Sequence, residues 1–512
     1  MIFAISLLLR GLMRGYMSFD RPCTKRLSAW APMLEAVEYE WTQYNSDQLS
    51  TEFAGSPTSE TETNWMNQYH HGFIPYPYDQ IARLNKSTER DWWIHDGKLV
   101  TLTEWAHQVH CLGLIRQWIY RDQFDYSDFT NTSSVRFHIH KNHCFLILKT
   151  MIECQADVTP VLFEKDLSGV GAWKLRDAPR KCRRNQALVE FIEENKIFLF
   201  ITTSGLVIDR EEDKSTLSEA MRGLRRPHRL PEFIRKSYRR WPLSIGDRST
   251  YLLWLNIVLF LTSGFLFWVS LQDTRSSMRE QVSMPSPVLN GEDISFSNRR
   301  MDATLFPDDN PNIFRQEPSP EVDRAWSIIS DTRPIPISRE DVLSIGKDPA
   351  MAVKLSPDFG LGDDVYAGRI DVLHQIHCLN ALRMEAYFDY YYGEKYPEGF
   401  NQTDEKHRYH LSHCIYMLLQ NILCRANTDI YTHMWTDAVG HPWPDFNIPH
   451  KCTNFRAILE WQRGHGVDEH MFVDMRRPVD QQPHRMSSKF KKVNDPERFG
   501  HLEDNRYDGE NA

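Results

Sequence analysis

Apolar positions fall along this chain in three kinds of run. One is continuous: Tyr251 to Leu271, YLLWLNIVLFLTSGFLFWVSL, carries no charged residue. It provides the roughly 20 residues that a helix needs to cross a bilayer, with Trp254 and Trp268 near its ends, where aromatic rings favour the interface. The second kind is periodic. TEWAHQVHCLGLIRQW at 103–118 and IDVLHQIHCLNALRMEAY at 370–387 read as amphipathic helices, with Leu112, Ile115 and Ile119, or Leu379, Leu382 and Tyr387, on the apolar side. HCFLILKTMIEC and HCIYMLLQNILC, ending at Cys154 and Cys424, open two further helical runs. The third kind is sparse. Residues 272–319 are rich in Ser, Pro, Asn and Asp, as in a flexible stalk, and 476–512 is polar enough to predict disorder.

These runs predict a mainly α fold with irregular loops and one transmembrane helix. The divisions are a short apolar leader at 1–19, a first globular module at 20–190, a basic connector at 191–250, the span at 251–271, the stalk at 272–319, a second module at 320–475 and the tail at 476–512. Arg and Lys crowd the residues before the span, as in RGLRRPHRLPEFIRKSYRRW at 222–241. Positive flanks stay cytosolic, which places the second module on the lumenal or outer side of a single-pass membrane protein. A return crossing ahead of Tyr251 has one candidate, KIFLFITTSGLVI at 196–208, which is short for a span.

Composition changes this picture little. Of 512 residues, 41% are hydrophobic and 25% charged, which is ordinary for globular protein. The net charge of −9 gives no reason to expect nucleic acid as a partner.

The nine cysteines are more informative. Cys23 stands apart, and the rest form two sets, Cys111, Cys144, Cys154, Cys182 and Cys378, Cys414, Cys424, Cys452, whose last two intervals match residue for residue. Trp173 and Trp443 keep the same register, as do PRKC and PHKC and the sequons at Asn131 and Asn401. The chain therefore contains one module twice. Asn85 opens a third sequon.

Each module carries His-x-x-His-Cys twice: His107, His110, Cys111 and His140, His143, Cys144 in the first, His374, His377, Cys378 and His410, His413, Cys414 in the second. Residues i, i+3 and i+4 share a helix face, so each motif projects two imidazoles from one turn with a thiol beside them. A lone His-x-x-His is most often a satisfied surface or core pair, but recurrence at repeat-related positions weakens that reading. Metal binding is favoured, because neutral imidazole is the commonest protein ligand and two facing helices supply four of them, suited to copper or zinc. General acid/base work by the same imidazoles is second. The cysteines admit two readings. They are soft ligands for copper, or, as an even set of four in an exported module, they form two disulfides per module.

Paired motifs of this kind behind one apolar span resemble the fungal UstYa family, oxidases of ribosomal-peptide and related mycotoxin pathways. The resemblance is strongest over 221–464, through EVDRAWSIIS, DVLHQIHCLNALR, HRYHLSHCIYMLLQNILC and HKCTNFRAILEWQ, and a more divergent copy covers 31–190. It departs from the pattern where His450, just before the last cysteine of module two, is Arg180 in module one. The resemblance implies oxidation of a peptide precursor or cyclic peptide intermediate by ether macrocyclisation, hydroxylation, halogenation or desaturation. It also implies partnership with other pathway enzymes, related oxidases included, and carries the twelve motif residues over as catalytic. Neither GxGxxG nor a P-loop lysine is present, so flavin and nicotinamide have no support, and copper is the expected cofactor. The alternative is a non-catalytic metal-binding or scaffold protein of the same pathway.

Overall fold

The computed structural model describes residues 31–196 and 285–475, apart from 44–51, 70–72, 85, 127–134, 165–173, 177–178, 292–295, 306–309 and 438–441, and shorter stretches elsewhere. Met1–Ile197 with Glu280–Ala512 forms one compact unit and Phe198–Arg279 a second. Both motif-bearing modules lie in the first unit.

Two buried helices per module carry the motifs. In module one they are α1 (Glu104–Ile119) and α2 (Val135–Gln155), and in module two α3 (Asp371–Ala386) and α4 (Glu405–Arg425). α1 starts where the Thr103 hydroxyl accepts the Ala106 N–H, α4 where the Asp404 carboxylate accepts the His407 N–H. α2 and α4 both stop before an alanine held at positive φ, Ala156 at 41° and Ala426 at 36°. The four helices pack on one another at the centre of the unit. Their apolar side chains join a single core that draws on both modules. All but one residue of α1 is buried. The amphipathic reading of α1 is thereby corrected, because a helix enclosed by other helices buries every face.

Strands flank the bundle. Module one contributes β1 (Tyr39–Gln43), β2 (Ile74–Pro77), β3 (Lys98–Thr103), β4 (Pro160–Glu164), β5 (Lys174–Arg176) and β6 (Pro179–Arg183). Module two contributes β7 (Phe296–Arg300), β8 (Ile335–Ser338), β9 (Val365–Ile370), β10 (Ile430–Met434), β11 (Trp443–Asp445) and β12 (Pro449–Thr453). The antiparallel pairs β1–β6 and β7–β12 stay within a module. The two larger sheets do not: their orders are β8–β9–β4–β5 and β11–β10–β3–β2. β9 meets β4 with Gly368 opposite Leu162, and β10 meets β3 with Tyr431 opposite Leu102. At that first crossing a Cβ on residue 368 would lie 2.9 Å from Ile337, so only glycine lets three strands approach so closely. Each sheet thus joins two strands of one module edge to edge with two of the other, the same way in both sheets.

The disulfides follow this exchange. Cys154 bonds Cys452 and Cys182 bonds Cys424, so the third cysteine of each set joins the fourth of the other. Two disulfides per module is therefore corrected to two bonds between modules. The motif cysteines Cys111, Cys144, Cys378 and Cys414 are free.

Two further expectations are corrected. The fold is about half helical with several small sheets, rather than mainly α with irregular loops; strands of three to six residues carry too little periodicity to compete with the helical runs. No helix among the described residues is long and apolar enough to cross a membrane, so the single-pass transmembrane helix and the localisation built on it are not supported. Of 251–271 the structure describes a few residues from Trp254 to Ser263, all helical, where the Thr262 hydroxyl donates to the Val258 carbonyl. The rest of 251–271 lies outside the described residues. The other proposed crossing holds an antiparallel hairpin of Leu199–Thr202 and Gly205–Ile208. Phe296–Arg300, inside the stretch read as a stalk, is β7. Asn401 is exposed, while the leader, Asn85, Asn131 and most of the tail lie outside the described residues, although Pro496–Phe499 in the tail is a short helix.

Candidate metal centres

In each module the two motif helices bring their histidines face to face in crossed order. The first His of one motif meets the second of the other: His107 with His143 and His110 with His140, then His374 with His413 and His377 with His410. Helices running in opposite directions past one another produce this pairing. The thiols sit one turn along, with Cys111 Sγ 3.7 Å from His107 Nε2 and Cys378 Sγ 3.8 Å from His374 Nε2. Cys414 Sγ lies 3.6 Å from His410 Nε2.

Among the described residues, two sets have ligand atoms close enough to share one ion. Centre one is His107, Cys111 and His143; centre two is His374, Cys378 and His413, and within each the atoms lie within 4.8 Å of one another. In centre one His107 Nε2 and His143 Nε2 are 3.4 Å apart. The other six motif residues, His110, His140, Cys144, His377, His410 and Cys414, line the same helix pairs just outside these sets. All twelve residues expected from sequence therefore gather into two clusters, one per module.

The electrostatics are divided: against burial, Cys111 and Glu104 raise the His107 imidazole to about 9, and Cys378 and Asp371 raise His374, whereas other motif imidazoles are held low. Burial lowers the His140 imidazole to about 4 and His377 to about 3, and it holds His143 well below the ordinary value, helped by the charge of His107. Neutral imidazoles are the ligand form. Burial pushes the Cys111 thiol up; for Cys378 a hydrogen bond with Cys414 leads and burial adds to it. A bound cation inverts that preference and deprotonates a coordinating thiol. Two imidazoles and a thiol in a dry pocket fit a borderline or soft transition ion, copper or zinc, and fit neither calcium nor magnesium, which take oxygen donors.

Four neighbours of these centres escaped the sequence reading. Glu104 Oε2 lies 3.5 Å from His107 Nδ1, and Asp371 Oδ1 lies 4.0 Å from His374 Nδ1. A carboxylate behind a ligating imidazole fixes its tautomer and raises its basicity. A signal for this pair was present, since both acids stand three residues before the first motif histidine. Phe446 stacks on His107 with ring centroids 3.9 Å apart, and Tyr431 packs beside both at 5.6 Å from His107 and 4.7 Å from Phe446. Both aromatics come from module two, so centre one is closed by the other module. Nothing in the linear sequence points from 446 to 107.

A family model described as "Mycotoxin biosynthesis protein UstYa" matches residues 1–195 and 235–465, covering both modules. Among curated proteins, UstYa family oxidase aprY of Aspergillus flavus is 40% identical over 202 residues, 39% of this chain and 60% of that protein. UstYa family oxidase phomYc of Diaporthe leptostromiformis is 33% identical over 174 residues, 32% of this chain and 67% of its own length. A protein named transacylase cctO, from Talaromyces islandicus, is 26% identical over 167 residues, 30% of this chain and 56% of that protein. The chain thus spans about three fifths of the length of these relatives. No solved structure matches. With the family model over most of its length and the paired histidine motif present in both halves, the chain belongs to the UstYa family of fungal mycotoxin biosynthesis proteins and carries two tandem modules of it.

Proposed function

We propose that this protein is a metal-dependent oxidase of fungal secondary metabolism that oxidises a peptide intermediate, working beside other enzymes of its pathway. The observation that carries the reading is the convergence, in each module, of two imidazoles and a thiol within 4.8 Å in a buried pocket. The names of the similar oxidases support the reaction class. Copper is the ion this donor set favours, and when bound it supplies one-electron transfer and activation of dioxygen. Ether macrocyclisation, hydroxylation, halogenation and desaturation of a side chain all draw on that power.

The chain's own contribution is placement. His107 and His143, or His374 and His413, hold the ion between facing helices; Cys111 and Cys378 donate sulfur. Glu104 and Asp371 orient the first histidine of each set. Phe446 and Tyr431 keep water from centre one, and a low-dielectric surround strengthens every charge interaction inside it.

The test is metal content of the purified full chain together with the mass of the pathway intermediate before and after incubation with it. We expect bound copper and a mass change of two hydrogens, one oxygen or one chlorine. Unchanged turnover after His374→Ala with His413→Ala and His107→Ala with His143→Ala in one chain would remove the proposal. A second reading, an ion-holding scaffold without turnover, draws on the closure of centre one by Phe446. It predicts metal uptake with no change in the mass of any intermediate.

A further inference from the structure

Arg180 is one residue at which module one departs from module two, where the matching residue is His450. The fold places both at the module boundary, on β6 and β12. Arg180 Nη1 donates to Asp157 Oδ2 at 2.7 Å and also lies 3.1 Å from Asp371 Oδ2, which belongs to module two. All three side chains are buried. Gln375 Nε2 donates to the same Asp371 oxygen. That leaves Asp371 Oδ1, which has no hydrogen-bond partner, facing His374 Nδ1, which has none either. The backbone confirms the docking, since the N–H groups of Asp371 and Val372 donate to the carbonyls of Thr159 and Asp157 in module one.

Centre one is built the same way up to the last link. Glu104 and Trp105 donate their N–H groups to Asp429 and Asn427 of module two, and Glu104 faces His107. His450, however, gives its Nδ1–H to Asp429 at 2.6 Å. Among the described residues no arginine or lysine pairs with Glu104, which interacts by charge with His450.

We propose that Arg180 is a positioning residue for the opposite module's centre: it fixes Asp371, and through Asp371 the imidazole of His374. Centre two is thus held from across the module boundary by a permanent guanidinium, whereas centre one has the imidazole of His450 in that place, bonded to Asp429 and interacting with Glu104 by charge alone. The two centres differ in affinity and ligand field although their ligands are the same. This inference rests on the metal reading above. Replacing an outer partner of a metal-ligating histidine typically costs about 10–100-fold in affinity, and that is the size of effect expected here.

The experiment uses the full chain and two probes, Zn(II) titrated against a chromophoric chelator and Cu(II) followed by its electron paramagnetic resonance. Centre two is read alone in a His107→Ala, His143→Ala background, and centre one alone in a His374→Ala, His413→Ala background. Arg180→Met is expected to weaken Zn(II) at centre two by about 10–100-fold, shift its Cu(II) spectrum and leave centre one unchanged. Arg180→Lys should recover part of the loss. If Arg180→Met fails to fold because Asp371 loses its cation and Asp157 is left with Arg425 alone, Asp371→Asn decides the matter, since it leaves the Arg180–Asp157 pair in place. Equal losses at both centres, or none at centre two with either substitution, would overturn the inference while leaving metal binding intact. A wild-type chain that takes up neither ion would overturn the metal reading itself.

Discussion

Lys86 and Asp445 meet at 2.6 Å with both side chains almost fully buried, one from each module. Lys86 Nζ also donates to the Asn447 carbonyl at 3.1 Å. Removing one partner of a buried pair strands the other charge, at about 3–5 kcal/mol. Arg90 lies 3.6 Å from the same carboxylate and softens the loss. Lys86→Met is therefore expected to destabilise by about 3 kcal/mol, read as a lower urea midpoint. Asp445 adjoins Phe446, so the same variant should loosen the closure of centre one and speed chelator removal of its ion. His450 gives a pH-dependent counterpart. Burial works against its charged form, but the hydrogen bond and charge of Asp429 outweigh that and raise it above the ordinary 6.5. A raised folded value means stabilisation fully present below the unfolded value and lost as pH rises through the folded one. The stability difference between wild type and His450→Gln should accordingly be largest below about pH 6.5 and shrink above it; a pH-independent difference in urea unfolding would refute this. At this scale the sequence exposed the ligands, because motif recurrence is a local signal. It hid Phe446 and Tyr431, whose approach to His107 depends on a strand crossing hundreds of residues away in the chain.

Among elements, the motif helices were legible and their surroundings were not. Periodicity finds a helix but cannot say how many of its faces will be covered, and α1 turned out to be enclosed. β4 and β10 were harder still, since five residues with no strict alternation match a buried strand and a helix fragment equally. Cysteine spacing showed which thiols correspond between modules. It could not show which ones bond, because a disulfide needs proximity in space and the partners lie 298 and 242 residues apart. Peptide mapping without reduction should recover Cys154 with Cys452 and Cys182 with Cys424, and should find Cys111, Cys144, Cys378 and Cys414 open to alkylation after unfolding. Cys182→Ser is expected to cost about 2–5 kcal/mol, the usual range for a native disulfide, and to leave both centres assembled. Recovery of Cys424 linked to Cys452 in wild type would contradict the crossed arrangement.

For the whole molecule the repeat was visible and its assembly was not, because intervals within a module say nothing about how two modules meet. The structure shows them exchanging equivalents: β4 of one with β9 of the other, β10 with β3, third cysteine with fourth. This is the pattern of an isologous two-fold interface, in which each patch meets its own counterpart, here closed within one chain. A fragment of 280–475 alone would lack β4, the strand that completes its sheet beside β9, and would carry Cys424 and Cys452 without their partners. A second copy of the fragment supplies both. We predict that it forms a homodimer joined by two Cys424–Cys452 bonds, one in each direction, with twice the fragment mass in nonreducing electrophoresis. In that dimer the residue behind Asp371 is His450 rather than Arg180, so its metal centre should resemble centre one of the full chain in affinity and spectrum. A stable monomer with Cys424 bonded to Cys452 internally would show that the exchange belongs to the two-module chain alone, and that each module can complete its own sheet.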